Sequence, residues 1–375
     1  MRQLGGEEWA RRVGSVPTPA FTITKLLWLA RHEPDNFARV SIVLLPGDWL
    51  MFRLTGEFWT DRSAASGTGY FSPSESVWLP DMLELVGGRG WSPELPQVLG
   101  PEELAGVVQA SAADELGLRP EIPVGPGCND QPPAVLALGL QDGDVVVSIG
   151  TSGTVFTRSP EPTFDASGAV TGVADASGAF LPLVCTLNAA KVTDAVARLM
   201  GVDHGILSNL ALAAPATADR PVLIPYLDGE RTPNRPLARG LLARIRSDIT
   251  REQLARAAFE GVVCGLLEGL ESLARVGVRI GGRLVVVGGG ARSPAYRQLL
   301  ADLSGRPVWT TDMEEITACG AAIQAAAVLH KQSVRAVSFA WAPPLRMVAE
   351  PREGQGADEF RARYRQFAAE EGFDG

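Results

Sequence analysis

The residues with the clearest chemical potential lie between positions 127 and 153. A β-branched run, Val145-Val146-Val147-Ser148-Ile149, empties into Gly150-Thr151-Ser152-Gly153, and Asp130 stands upstream in Gly127-Cys128-Asn129-Asp130-Gln131. A buried strand that ends in a glycine-containing turn can aim bare backbone N–H groups at one spot, a concavity that attracts phosphate oxygens. A second strand-to-glycine transition, Leu284-Val285-Val286-Val287 into Gly288-Gly289-Gly290-Ala291, repeats the pattern. Either turn alone is a weak sign, because purely structural turns look the same. The two together with Asp130 point to a nucleotide cradle. For a lone aspartate, a turn or helix cap is the commoner role. Asp130, however, follows glycines at 125 and 127 and precedes an apolar, helix-like run, which places its carboxylate at a tight junction beside a cleft. There it could take a proton from a substrate hydroxyl that attacks a γ-phosphate.

Competing chemistries fit less well. The three histidines, His32, His204 and His330, are far apart and lie beside no carboxylate or cysteine cluster in the sequence, which disfavours metal sites and histidine triads. Gly150-Thr151-Ser152-Gly153-Thr154 misses the G-x-S-x-G nucleophile elbow at its fifth residue. A dinucleotide fingerprint starting at Gly288 fails at Ser293, and no G-x-x-x-x-G-K-[ST] occurs anywhere.

The elements that must position these residues alternate between strand and helix, the pattern of an α/β fold. A helix is expected over 22–33 and a strand over Val40–Leu45. A short helix at 48–54 should be closed by Gly56, and a polar loop is expected through Asp61-Arg62-Ser63-Ala64-Ala65-Ser66-Gly67-Thr68-Gly69. A β-meander follows over 155–164, 170–173 and 180–184, then a strand at Val222–Ile224. Thr250 and Gln253 form a capping box for a long helix. Ser293 and Pro294 read as N-cap and first residue of another, with Tyr296, Leu299, Leu300 and Leu303 as its buried stripe. A core helix over 317–329 should use Ala318, Gly320, Ala321, Ala322, Ala325 and Ala326 to lie close to another backbone. A peripheral helix around Phe360, Tyr364 and Phe367 is expected within 350–375.

At 375 residues the chain exceeds the size of a single growing core, so two domains with a cleft between them are expected. The boundary is placed in the polar turn 141–144. A formal charge of −9 and a pI near 5.1 argue against a nucleic-acid surface. Cys128, Cys185, Cys264 and Cys319 are scattered and read as reduced thiols, mostly in the core, of a cytoplasmic protein. No secretory h-region opens the chain at Met1–Glu8, and no stretch is long and apolar enough to span a bilayer.

Many segments, in the right order over essentially the whole chain, resemble the FGGY carbohydrate kinases. They are Lys25–Leu29 with Arg31–Pro34, Leu44–Trp49, Leu54–Glu57, Asp130-Gln131, Ser148–Gly153, Pro225–Leu227 with Gly229–Pro233, Phe259–Gly261 and Gly288–Ala291. Within that family the Gly229–Pro233 turn and the Leu54–Glu57 segment are most similar to the xylulokinase branch. The resemblance implies an actin-like ATPase (ribonuclease H-like) fold of two lobes, the first incomplete. Residues 1–141 would be a partial sugar-binding lobe, 145–330 an ATP-binding lobe and 331–375 a C-terminal tail helix. It further implies ATP and Mg²⁺ as cofactors, with no metal ligand assigned, and Asp130 as the base that deprotonates the sugar hydroxyl. Gln131 would contact the sugar, and Gly150, Thr151, Ser152 and Gly153 would hold the β- and γ-phosphates. Gly289, Gly290 and Ala291 would face the α-phosphate and adenosine, with Ser293 nearby.

The expected reaction is ATP-dependent phosphorylation of a ketose, D-xylulose to D-xylulose 5-phosphate. The expected partner is a small sugar, with neither nucleic acid nor membrane and with a homodimer left open. Departures from the family pattern are also visible. Its opening β-hairpin with an Asp-x-Gly-Thr-type phosphate loop has no counterpart here, Arg244-Ile245 replaces a glycine and an aliphatic residue, and Pro132-Pro133 replaces small residues. On that ground the chain as given is expected to turn over little, with a non-catalytic ATP-binding remnant, or a kinase for another sugar or polyol, as the alternatives.

Overall fold

Complete burial of Val145, Val146, Val147 and Ile149, and of Leu284, Val285 and Val286, organises the central sheet. Strands apolar on both faces are the mark of parallel pairing between covering layers. The computed structural model describes residues 4–88 and 90–370. The reading of the N-terminus at residues 1–3, and the end of the 350–375 expectation at residues 371–375, lie outside the described residues.

The chain forms two compact units, neither of them a single stretch of sequence. The first comprises Met1–Asp142, Arg158–Pro182 and Met313–Pro343, and the second Gly143–Thr157, Leu183–Asp312 and Pro344–Gly375.

In the second unit the strands run in the order Arg346–Ala349, Val308–Thr310, Leu284–Val287, Val145–Ile149, Gly153–Thr157 and the later part of Phe180–Thr186. Val145–Ile149 pairs parallel with Leu284–Val287 and antiparallel with Gly153–Thr157. The helix Arg251–Arg275 starts with the expected capping box: Gln253 N–H donates to Thr250 Oγ1 at 3.3 Å, and Thr250 N–H to Gln253 Oε1 at 3.0 Å. Because it is buried on several sides, its own Arg256 and Glu260 lie inside, together with Arg220. Glu260, fully buried, accepts from Arg220 Nε at 3.1 Å and Arg256 Nε at 2.8 Å. Both guanidinium groups also reach Gln355, and Arg220 lies 4.1 Å from the centre of the Phe360 ring. Removing one partner of such a buried set costs about 3–5 kcal/mol, so the network holds the Ala357–Ala368 helix, with Phe360 and Tyr364 buried, onto this unit.

In the first unit the Thr22–His32 helix buries Ile23 and Leu26 in a cluster with Trp9, Val13, Phe21, Tyr70, Met82 and Leu83. Pro46–Thr55 is closed by Gly56, whose φ of 83° is the left-handed geometry glycine tolerates best.

Four local expectations fail in whole or in part, each for a physical reason. Val40–Leu45 is not a strand: its pairing is confined to the Ile42–Glu94 bridge, because Leu45 already serves as N-cap to the helix opened by Pro46. The supposed loop at 61–69 contains a helix, Arg62–Ser66, capped by the Asp61 carboxylate. The hydroxyls of Ser66 and Thr68 satisfy themselves on Arg62 and Ala65 carbonyls, which lets a polar segment be buried. The strand expected over 155–164 stops at Thr157, where Pro160 and Pro162 remove ladder donors. Finally, the Ile316–His330 helix buries Gly320, Ile323, Gln324, Ala327 and Val328, whereas Ala318, Ala321, Ala322 and Ala325 are exposed. The close backbone approach is made at Gly320, where a Cβ would lie 2.7 Å from Pro133 Cα, and Ala326 is half-buried against the Leu136 cluster.

Candidate active site

Both glycine turns belong to the second unit and leave the sheet at the carboxyl ends of neighbouring parallel strands, with Ser148 in register with Val287. Open α/β sheets bind ligands at such ends. The N–H of Gly150 closes its own turn by donating to Ser152 O at 3.0 Å. Thr151 and Ser152 are exposed. Among the described residues their N–H groups have no hydrogen-bond partner. Gly289–Arg292 forms a single 3-10 turn in which Gly289 is exposed and Ala291 buried.

What a side chain would meet separates the glycines into two kinds. A Cβ on Gly153 would lie 2.6 Å from Leu266 Cδ2, and one on Gly288, whose φ is 86°, 2.8 Å from Ile149 O. On Gly290 it would lie 3.1 Å from the same carbonyl. Packing and backbone geometry account for these three. Neither does so for Gly150, where a Cβ would make only ordinary contact at 3.5 Å with Ser152 O, nor for Gly289, where nothing lies within 4 Å. Glycine is otherwise needed where a ligand approaches the backbone closely.

Ser293 is the N-cap of the Pro294–Ser304 helix in position but not in bonding. Its hydroxyl donates to Ser208 Oγ at 3.2 Å, and Ser208 Oγ accepts the Ala295 N–H at 3.1 Å. The capping oxygen therefore comes from the His204–Ala213 helix, a substitution that no local pattern announces.

Asp130 and Gln131 belong to the first unit. Asp130 is exposed, immediately before Pro132–Ala137, a helix buried at every residue. Pro132 and Pro133 occupy the first turn, where a missing N–H is no loss. Gln131 Nε2 stands 3.5 Å from Asp130 Oδ2, and Thr317 Oγ1 3.4 Å from Asp130 O. The segment is anchored one residue earlier. Asn129 N–H donates to Ser63 Oγ at 2.9 Å, and the Ser63 hydroxyl donates to Asp61 Oδ1. Burial pushes the Asp61 carboxyl up to about 6, against the hydrogen bonds from Ser63 and Ala64. Burial also raises the Cys128 thiol to about 12, with Asp61 and Asp175 adding to the shift. Asp61 and Ser63 were visible only as part of a polar stretch; their link to Asn129 spans a sequence gap that spacing rules do not bridge.

None of the four cysteines is in a disulfide, and of them only Cys264 is fully buried, so the thiols are less internal than expected. His204 does meet a carboxylate, Asp194 at 3.6 Å, as an exposed pair on the surface. Among the described residues no group of three His, Cys, Asp or Glu side chains could hold a metal ion, and no helix is long and apolar enough to cross a membrane.

Residues 1–137 match the N-terminal domain, and residues 145–329 the C-terminal domain, of the FGGY family of carbohydrate kinases. A xylulose kinase of Streptomyces rubiginosus is 41% identical over 343 residues, covering 91% of this chain and 69% of that protein. One of Streptomyces coelicolor is 41% identical over 341 residues, covering 90% and 68%. The crystal structure of xylulose kinase from Bifidobacterium adolescentis superposes with a TM-score of 0.84 at 36% identity, covering 96% of this chain and 75% of that one. The fold is accordingly that of the actin-like ATPases. With the two glycine turns at adjoining strand ends and both domain models matched, the chain belongs to the FGGY family of carbohydrate kinases, enzymes that phosphorylate sugars with ATP.

Proposed function

We propose that the chain transfers the γ-phosphoryl group of ATP to a hydroxyl of D-xylulose, giving D-xylulose 5-phosphate and ADP, with Asp130 as general base. The choice of sugar follows the relatives named xylulose kinase at 41% identity. One observation carries the nucleotide assignment: Gly150 and Gly289 have no structural need to be glycine, and both lie at the carboxyl ends of adjacent parallel strands.

In this reading the N–H groups of Thr151 and Ser152 bind the β- and γ-phosphates, with Gly150 and Gly153 shaping the turn. Gly289, Gly290 and Ala291 face the α-phosphate and adenosine, and Ser293 with Ser208 fixes the helix behind them. Gln131 contacts the sugar. The exposed Asp130 carboxylate accepts the hydroxyl proton as the new O–P bond forms, while the bond from the γ-phosphorus to the β-phosphate oxygen breaks and leaves with ADP. Positioning and charge neutralisation dominate such transfers. Mg²⁺, when bound, would neutralise charge on the phosphates, held largely by water and phosphate oxygens. Residues 1–141 are proposed as the sugar lobe, 145–330 as the nucleotide lobe and 331–375 as a tail. A cytoplasmic location agrees with four cysteines outside any disulfide.

The test is Asp130→Asn in a coupled ADP-release assay with D-xylulose. Turnover should fall by about a thousandfold or more, within the range general-base catalysis supplies, while ATP affinity stays within about threefold. Retained turnover removes Asp130 from the role. Turnover with other ketoses or polyols but not with D-xylulose overturns the choice of sugar.

A further inference from the structure

Glu230 is buried, 3% exposed, and among the described residues it forms no ion pair. Its carboxylate is instead filled by neutral donors. Oε1 accepts the N–H of Leu187 at 2.5 Å and of Arg231 at 2.7 Å, and Oε2 accepts Asn188 Nδ2 at 2.8 Å. Asn188, equally buried, also donates to Gly229 O at 2.8 Å. Glu230 therefore fixes residues 187 and 188 from a turn more than forty positions later in the chain.

The next two residues bind the Gly150 turn. Ala190 N–H donates to Gly150 O at 2.9 Å, and Ala189 N–H to Thr151 O at 3.3 Å. A trans peptide is planar, so its C=O and N–H point in opposite directions. Drawing the Gly150 and Thr151 carbonyls toward Ala189 and Ala190 consequently turns the N–H groups of Thr151 and Ser152 the other way. Those are the two turn amides that no described residue satisfies.

We propose that Glu230 is a positioning residue for the phosphate turn: through Leu187 and Asn188 it places the Ala189 and Ala190 amides that orient the Thr151 and Ser152 N–H groups toward phosphate. The proposal rests on the assignment of Gly150–Gly153 to the β- and γ-phosphates. A merely structural Glu230 would stabilise the unit without distinguishing between ligands.

The experiment compares Glu230→Ala, Glu230→Gln and Gly150→Val by isothermal titration with ATP, AMP and D-xylulose, together with steady-state kinetics and melting. Glu230→Ala should weaken ATP binding tenfold or more and raise the KM for ATP, with AMP and D-xylulose affinities changed less than about threefold. Glu230→Gln, which keeps an oxygen for Leu187 and Arg231, should recover most of the loss. If Glu230→Ala lowers all three affinities alike, or leaves ATP binding unchanged while Gly150→Val weakens it, the positioning role is overturned. If Gly150→Val also leaves ATP binding unchanged, the phosphate-turn assignment fails instead. Should Glu230→Ala not fold, Asn188→Ala cuts the same link from the other side and carries the same expectations.

Discussion

Ser63 and Asn129 are joined by one hydrogen bond, from the Asn129 N–H to Ser63 Oγ at 2.9 Å, and the Ser63 hydroxyl is spent on Asp61. The bond fixes the backbone immediately before Asp130. Replacing Ser63 with Ala removes two part-buried hydrogen bonds, each worth about 1 kcal/mol, and releases the segment that carries the proposed base. Small misplacements of reacting groups cost about a hundredfold. Ser63→Ala should therefore lower kcat by about tenfold or more with a modest change in Tm, and an unchanged kcat would detach Ser63 from positioning.

Asp61 makes a pH prediction. Its carboxyl ordinarily titrates near 3.8 and burial raises it to about 6, so in that interval the folded chain holds a proton the unfolded chain has released. Stability must fall as pH rises through this window. The penalty is on the order of 2–3 kcal/mol, fully present above about pH 6 and absent below about pH 4. Asp61→Asn keeps the capping oxygen and cannot ionise. Relative to the native chain it should gain stability at pH 8 that disappears at pH 3.5, as read by denaturant unfolding at the two values.

The glycines of the two turns should respond oppositely to the same substitution. Gly289→Ala meets open space and should alter stability by less than about 0.5 kcal/mol while raising the KM for ATP severalfold. Gly153→Ala is forced against Leu266 and Thr186 and should cost about 1–3 kcal/mol. Melting curves and ATP titrations of the two variants check the contrast, which collapses if Gly289→Ala binds ATP normally.

Gly320 lets the Ile316–His330 helix touch the backbone at Pro133, within the helix that follows Asp130 and Gln131. The obstacle to a side chain there is main chain, which cannot rotate away. Gly320→Ala should destabilise by about 2 kcal/mol or more and lower kcat through displacement of the Pro132–Ala137 helix. A melting temperature equal to that of the native chain would contradict the close packing.

Much of the architecture was legible because local rules decide it. Val145–Ile149 and Leu284–Val287 are strands because they are short apolar runs ended by glycine, and Arg251–Arg275 is a helix with its capping box written at Thr250 and Gln253. Gly56 closes its helix for a reason confined to one residue. The Arg62–Ser66 helix was hidden because its stabilisation comes from Asp61 and from hydroxyls that bond back to the main chain, so its composition resembled that of a loop. The exposed alanines of Ile316–His330 show the same limit: small size permits a close approach but does not say which face makes it.

The sequence alone determined the candidate residues, since Asp130, the two glycine turns and the ordered motifs are patterns of type and spacing. Only the tertiary structure decided what each one contacts. It separated Gly150 and Gly289 from the glycines that packing requires, moved the capping of the Pro294 helix from Ser293 to Ser208, tied Asn129 to Ser63, and linked Glu230 to the Gly150 turn through Asn188 and Ala190. The reason is physical. Propensity and periodicity act over a few residues, whereas a buried carboxylate or hydroxyl is satisfied by whichever donor folding brings within 3 Å, however distant that donor is along the chain.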